Sequence, residues 1–267
     1  MKVLKPLSFL SLLIVAMIFV QCSDDDTKST TPVKIRLTDA PAQFDKVNID
    51  IQAIQIHSSS DESEENGWQE MNLLKPGVYD LLEFNNGIDT LLVDQDMPSG
   101  KVSQMRLILG ENNTIVVDGV EHDLDTPSAQ TSGLKFQIHD DFIAGIEYKL
   151  WIDFDAARSI VTTGNGTYKL KPVIRTFNEA TTGAISGTIS PAEALPTIHA
   201  VIGLDTISTI AEENGEFLIK GLEAGTYKLA VEPIEGYNKK EVENIAVTIG
   251  NITDAGSIEI DAVVQNN

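Results

Sequence analysis

The strongest constraint on the fold is a run in which apolar and charged residues take turns. Ile146, Tyr148, Leu150, Ile152 and Phe154 share one parity, and Glu147, Lys149, Asp153 and Asp155 the other. Successive side chains of a strand point to opposite faces, so this run predicts a half-buried β-strand. The same alternation appears at Val33, Ile35 and Leu37, and at Leu134, Phe136 and Ile138. Val47, Ile49 and Ile51 hold odd parity, then Ile54 and Ile56 change to even. A slip of one residue predicts a β-bulge near Gln52 and Ala53. Thr114 to Leu124 reads as a hairpin turning at Asp118-Gly119, a pair suited to a type I′ turn. After residue 30 no stretch sustains a helical period, so the expectation is an all-β protein. A glycine stands three residues before Tyr148 and two before Tyr168 and Tyr227, each Tyr followed by Lys-Leu. This is a turn feeding a strand rather than a repeat unit.

The pattern lapses briefly over Glu179–Gly183. A boundary there divides the chain into a first β-sandwich over residues 32–178 and a second over 183–262, both of ordinary domain size. Residues 263–267 read as a loose tail.

The first thirty residues carry an address. Lys2 and Lys5 precede an apolar run from Leu7 to Val20, which ends at Gln21-Cys22. A basic start followed by a short apolar segment makes a secretory signal, too short for a comfortable membrane span. Cys22 is the only cysteine, which excludes an intramolecular disulfide framework. Its position at the end of the apolar run resembles a bacterial lipobox, Phe19-Val20-Gln21-Cys22. The resemblance implies that residues 1–21 are a signal peptide, cleaved before a lipidated Cys22. Gln21 stands where a small residue is usual, a departure that lipoproteins of the Bacteroidetes type tolerate. Residues 22–31, with Asp24, Asp25 and Asp26, are polar and read as a tether. Acids directly after the lipid-bearing cysteine resemble the surface-export signal of those lipoproteins. They imply an outer-membrane, surface-exposed protein, held to the membrane by its lipid.

Charge narrows the partners. The formal net charge of −21 becomes −23 once residues 1–21 and their two lysines are removed. Such an excess of acid argues against nucleic acid, whose phosphates need Lys and Arg, and against anionic membrane surfaces.

Catalytic signatures are missing from the sequence: there is no Gly-x-Ser-x-Gly elbow, no His-Glu-x-x-His and no phosphate loop. The expectation is a protein that is not an enzyme and needs no cofactor. A carboxylate dyad stays open as an alternative, because such acids meet only in the fold. Two acidic stretches could hold a cation, Glu121-His122-Asp123-Leu124-Asp125 and His139-Asp140-Asp141, the latter expected in a loop. Glu121, Asp123 and Asp125 would share one strand face. The plainer reading is a solvated acidic strand. Trp151 falls on the charged parity of its strand, so it needs either a ligand or a cover from a loop or the second domain. A sugar ring is the ligand such an indole would stack on. Trp68 is expected to anchor the core, and Tyr237 to act as a lid on the small sandwich or a loop-tip contact. Asp89-Thr90-Leu91 and Asp205-Thr206-Ile207 resemble short O-glycosylation sequons of Bacteroidetes exported proteins.

Two resemblances extend this reading. Gly183, Gly187, Asn214-Gly215, Phe217, Gly221, Gly225, Tyr227 and Gly250 recur in a pattern similar to the carboxypeptidase regulatory-like domain. That implies a seven-stranded sandwich of the prealbumin and starch-binding-like type, with Pro191–Pro196 departing from the usual first connection. Earlier, Arg36-Leu37-Thr38-Asp39-Ala40-Pro41, Gly110 to Gly119, Asp153 to Ser159 and Leu170 to Arg175 resemble the bacterial lipoprotein family of domain of unknown function 4382. That resemblance implies a β-sandwich and an exported lipoprotein, but no activity.

The expected function is a non-catalytic outer-membrane lipoprotein that binds a carbohydrate or glycoprotein through Trp151. The alternatives are a structural or adhesin-like protein that binds another surface protein, and a carboxylate-dyad hydrolase.

Overall fold

The computed structural model describes residues 30–57, 67–127 and 129–263. The signal segment, Cys22 and the acidic stretch 58–66 lie outside the described residues. The first thirteen strands are β1 (Thr30–Ala40), β2 (Lys46–His57), β3 (Trp68–Met71), β4 (Gly77–Asp80), β5 (Thr90–Pro98), β6 (Gly100–Leu109), β7 (Thr114–Val117), β8 (Val120–Asp125), β9 (Leu134–Phe142), β10 (Tyr148–Asp155), β11 (Ile160–Thr162), β12 (Tyr168–Leu170) and β13 (Ile174–Asn178). A single helical turn, α1 (Ala156–Ser159), follows β10. They form a sheet of order β13-β10-β1-β5 and a larger one of order β11-β12-β8-β7-β2-β6-β9, with β3 and β4 also paired to β2. Val33, Ile35 and Leu37 from one sheet meet Ile49, Ile51 and Met105 from the other in one core. This is the first β-sandwich.

Beyond Asn178 come β14 (Gly183–Ser190), β15 (Thr197–Ile202), β16 (Asp205–Ile210), β17 (Glu216–Leu222), β18 (Gly225–Glu232), β19 (Lys240–Val247) and β20 (Ile252–Glu259). They make sheets of order β17-β14-β20 and β16-β15-β18-β19. Ile185, Ile198, Phe217, Leu229 and Ile258 fill a separate core between them. The protein is therefore all-β, with two sandwiches in succession.

The parity slip in β2 is a bulge: its pairing with β6 shifts register between Ile51 and Ala53. The shift keeps both Ile51 and Ile54 fully buried, and it turns His57 to the outer face. The β7–β8 hairpin turns through Asp118 (φ 51°) and Gly119 (φ 74°), as a type I′ turn requires.

Three local expectations are corrected. The tether was expected to reach residue 31, but β1 begins at Thr30. Thr31 is buried, with Oγ1 3.0 Å from Ser99 Oγ. Ile146, although in phase with Tyr148, is 58% exposed, because a turn closed by Ile146 N–H to Ile143 O delays β10 by two residues. His139-Asp140-Asp141 lies inside β9 rather than in a loop.

Candidate functional site

The two sandwiches meet beside Trp151, through Asp89, Arg175 and Phe177. Strand pairing sets Phe177 of β13 beside it on one side and Arg36 of β1 on the other. The indole stacks on the Phe177 ring, with centroids 5.6 Å apart and planes 5° from parallel. Its Nε1–H donates to Asp89 Oδ2 at 2.9 Å. The Arg36 Nε donates to the other oxygen of Asp89 at 2.5 Å. Lys220 of β17 brings its Nζ to 3.7 Å from Asp89 and donates to Gly87 O at 3.0 Å. Asp89 thus ties an arginine and an indole of the first sandwich to a lysine of the second.

Further bonds cross the same junction. Arg175 donates from Nε to Asp153 Oδ2 at 2.9 Å and from a terminal nitrogen to Gly221 O at 2.7 Å. The Asn86 amide oxygen accepts Leu218 N–H at 2.7 Å, and its nitrogen donates to Glu212 at 2.8 Å. Gly221 has φ +71°, and a Cβ there would fall 2.5 Å from the Phe177 ring. Gly221→Ala is therefore expected to destabilise the protein by about 1–3 kcal/mol through overpacking, seen as a lower thermal midpoint.

Trp151 is 5% exposed. The expectation of a sugar-stacking Trp151 is corrected: Phe177 and Asp89 cover it, and these in turn abut Gly221 and Lys220 of the second sandwich. An indole has an apolar body and a polar tip, and Phe177 and Asp89 satisfy both.

Behind the junction lies Asp39. Its Oδ1 accepts Ala156 N–H at 3.0 Å, while Oδ2 is buried without a hydrogen-bond partner among the described residues. Burial pushes this carboxyl well above the usual range, and the charges of Asp153 and Asp155 push the same way. Burial also raises Asp155, against its bond from Arg158 N–H. Asp39, Asp153, Arg175 and Lys220 line a cavity of about 30 Å³. That space admits a water but not a sugar ring, so this acid cluster does not supply the active-site cleft of a glycosidase dyad.

Glu121, Asp123 and Asp125 do lie on one exposed face of β8. They do not converge on a cation. Glu121 accepts Thr114 Oγ1–H at 2.9 Å, and Asp125 lies 3.7 Å from Lys169 Nζ. Among the described residues no group of three or more His, Cys, Asp or Glu is placed to hold a metal, so neither acidic stretch gathers such a group there. In the other stretch Asp140 accepts the Tyr148 hydroxyl. Burial, then Asp140, raises that phenol far above its usual range. Tyr237 is half-buried on the second core, and its backbone bridges to Ala262, so it closes that end of the small sandwich.

Trp68 is not a core anchor. The β2 bulge sets it opposite His57 on the outer face of the larger sheet, away from Ile54 and Ile56. His57 packs edge-on against the indole, with centroids 5.2 Å apart. The Arg106 guanidinium lies 4.2 Å from the ring centre and Lys135 Nζ 5.7 Å. Arg106 Nε donates to Gln55 Oε1 at 2.7 Å, and Gln55 in turn donates to Glu70 at 3.4 Å. Partial burial pulls the pKa of Arg106 down. The parity change before Ile54 was the available signal that Trp68 would face outward, but its partner strand was not legible.

Residues 30–172 match the family described as Domain of unknown function (DUF4382). No curated protein matches the chain. Among solved structures, a type II cohesin–X-dockerin complex from Acetivibrio cellulolyticus is similar at 25% identity and a TM-score of 0.25, over 30% of this chain and 58% of that one. The chain thus spans 58% of the length of this first similar structure. The minor pilin GBS52 of Streptococcus agalactiae is 10% identical over 88% of this chain and 98% of its own, with a TM-score of 0.24. A fimbrial protein from Bacteroides ovatus is 7% identical over 89% of this chain and 51% of its own, with a TM-score of 0.23. The family match is of another order: it runs unbroken from the first residue of β1 through β12, more than half of the 267 residues. The chain belongs to the DUF4382 family.

Proposed function

We propose that this chain is a non-catalytic, lipid-anchored outer-membrane protein whose two sandwiches present one rigid interaction unit at the cell surface. One observation carries the reading: Trp151, Phe177, Asp89, Arg175 and Lys220 lock the sandwiches together. A ligand-binding hinge would leave such a junction loose; a structural or adhesin-like protein needs it stiff. The burial of Trp151 moves the weight from the glycan reading at that residue to this one. In the same reading the second sandwich is a carboxypeptidase regulatory-like module, consistent with its seven strands. β16 and β19 are the edge strands of their sheet, and their exposed ends at Thr206 and Lys240 are where a partner protein would pair.

Fractionation tests the anchor. Cys22→Ser should abolish incorporation of labelled fatty acid and release the protein from the membrane fraction. Protease added to intact cells should degrade the unaltered protein. Photo-crosslinkers at Thr206 and Lys240, on the two edges, should yield discrete adducts on those cells. Retained label in Cys22→Ser, or protection from protease with no adducts, would overturn the proposal.

A further inference from the structure

Going beyond that reading, we propose that the outer face of β3-β2-β6-β9 binds an acidic polysaccharide, with Trp68 as the stacking platform and Arg106 and Lys135 as the anion contacts. Arg106 and Lys135 stand directly opposite each other on β6 and β9. Like charges in that position repel, and sheets ordinarily avoid it. Most of the described cations answer to a carboxylate: Lys34, Arg36, Lys149, Arg175 and Lys220 all form ion pairs. Arg106 and Lys135 form none with a described carboxylate; the nearest acid along the row, Glu70, is separated from Arg106 by the Gln55 amide. What gathers the two cations is the indole, at 4.2 and 5.7 Å. In a protein of net charge −21, two adjacent cations with no described carboxylate partner stand out.

The chemistry fits a charged sugar better than a bare anion. Trp68 is half-buried, with His57 against its edge and the Arg106 guanidinium over its ring, and the ring surface left uncovered is the fixed apolar platform on which a pyranose ring would pack. Arg106 is aimed by Gln55 through Nε and by a 3.4 Å bond from one terminal nitrogen to Ser132 O, which leaves the other terminal nitrogen to meet a carboxylate or sulfate. Lys135 is exposed and reaches the same space. A neutral glycan would use the ring and waste the cations; an acidic one uses both.

Affinity electrophoresis of the chain from Ser23 tests this, with polygalacturonate, heparin, neutral dextran and poly-glutamate as probes. Polygalacturonate or heparin should retard the protein, less so as salt is raised, while dextran and poly-glutamate should not. Carboxylate and sulfate arms distinguish the two kinds of acid group, and either supports the site. Trp68→Ala should weaken retention at least tenfold. Lys135→Gln, at an exposed position that cannot threaten folding, should weaken it several-fold, and Trp151→Ala should leave it unchanged. Equal retention by dextran, equal retention by poly-glutamate, no retention by either acidic polysaccharide, or retention indifferent to Trp68 and Lys135 would each overturn the proposal.

Discussion

Trp151→Ala is expected to split one unfolding transition into two. Trp151 belongs to neither hydrophobic core; its ring backs Phe177 and Asp89, the two residues that meet Gly221 and Lys220 across the seam. Its loss removes the stack on Phe177 and leaves Asp89 with one donor fewer between Arg36 and Lys220. Replacing a buried Trp by Ala costs about 3–5 kcal/mol. For a chain of this size that is a shift on the order of 10 °C in the affected transition. Differential scanning calorimetry should show the second sandwich melting near its original temperature and the junction-dependent part melting earlier. Limited proteolysis between Asn178 and Gly183 should accelerate. A single, merely displaced transition with unchanged cleavage would mean that the sandwiches never depended on the seam.

Asp39→Asn is expected to stabilise the protein at neutral pH and to flatten its pH dependence. The folded carboxyl holds its proton to a higher pH than the unfolded one, because burial opposes ionisation and Asp153 and Asp155 face it. Only the backbone N–H groups of Ala156 and Ala40 work against that. The folded state therefore binds more protons than the unfolded state above the ordinary carboxylate range. Stability must then fall as pH rises from about 4 toward the raised folded value. Asp155, shifted in the same direction, adds to the slope. An asparagine keeps the acceptor for Ala156 N–H and offers Asp153 an amide in place of a second carboxylate. The gain at pH 7 should be about 1–3 kcal/mol, the usual cost of an unsatisfied buried polar group. Urea melts at pH 5 and pH 7.5 read it directly. A variant no more stable than the native chain at the higher pH would show that Oδ2 is paid no such penalty.

What the sequence disclosed was periodic and local. The alternation at Val33, Ile35 and Leu37 could be read because each side chain reports the face it occupies, and the slip after Ile51 because two parities cannot share a face without an extra residue. Asp118-Gly119 was legible because few pairs tolerate two positive φ angles in succession. Trp151 was assigned to the outward face of its own sheet correctly, but parity left open whether a ligand or a cover would meet it, because the pattern of one strand says nothing of what packs on its outer face. Trp68 failed for a related reason: a strand of four residues has too short a pattern to reveal its partner. The parallel pairings of β1 with β10 and β14 with β20 left no local trace either. Asp39 entered the sequence reading only within a family motif and Asp89 only within a sequon; their burial at the junction left no trace there.

The place of β1 in its sheet has a mechanical consequence. It is hydrogen-bonded along both edges, parallel to β10 from Val33 to Ala40 and antiparallel to β5 from Thr30 to Leu37. Tension entering at Thr30 along the strand axis loads both ladders in shear, so their bonds share the force and must yield together instead of opening one at a time. Pulled from that end, the first sandwich behaves as a stiff link in a chain under load, not as a spring.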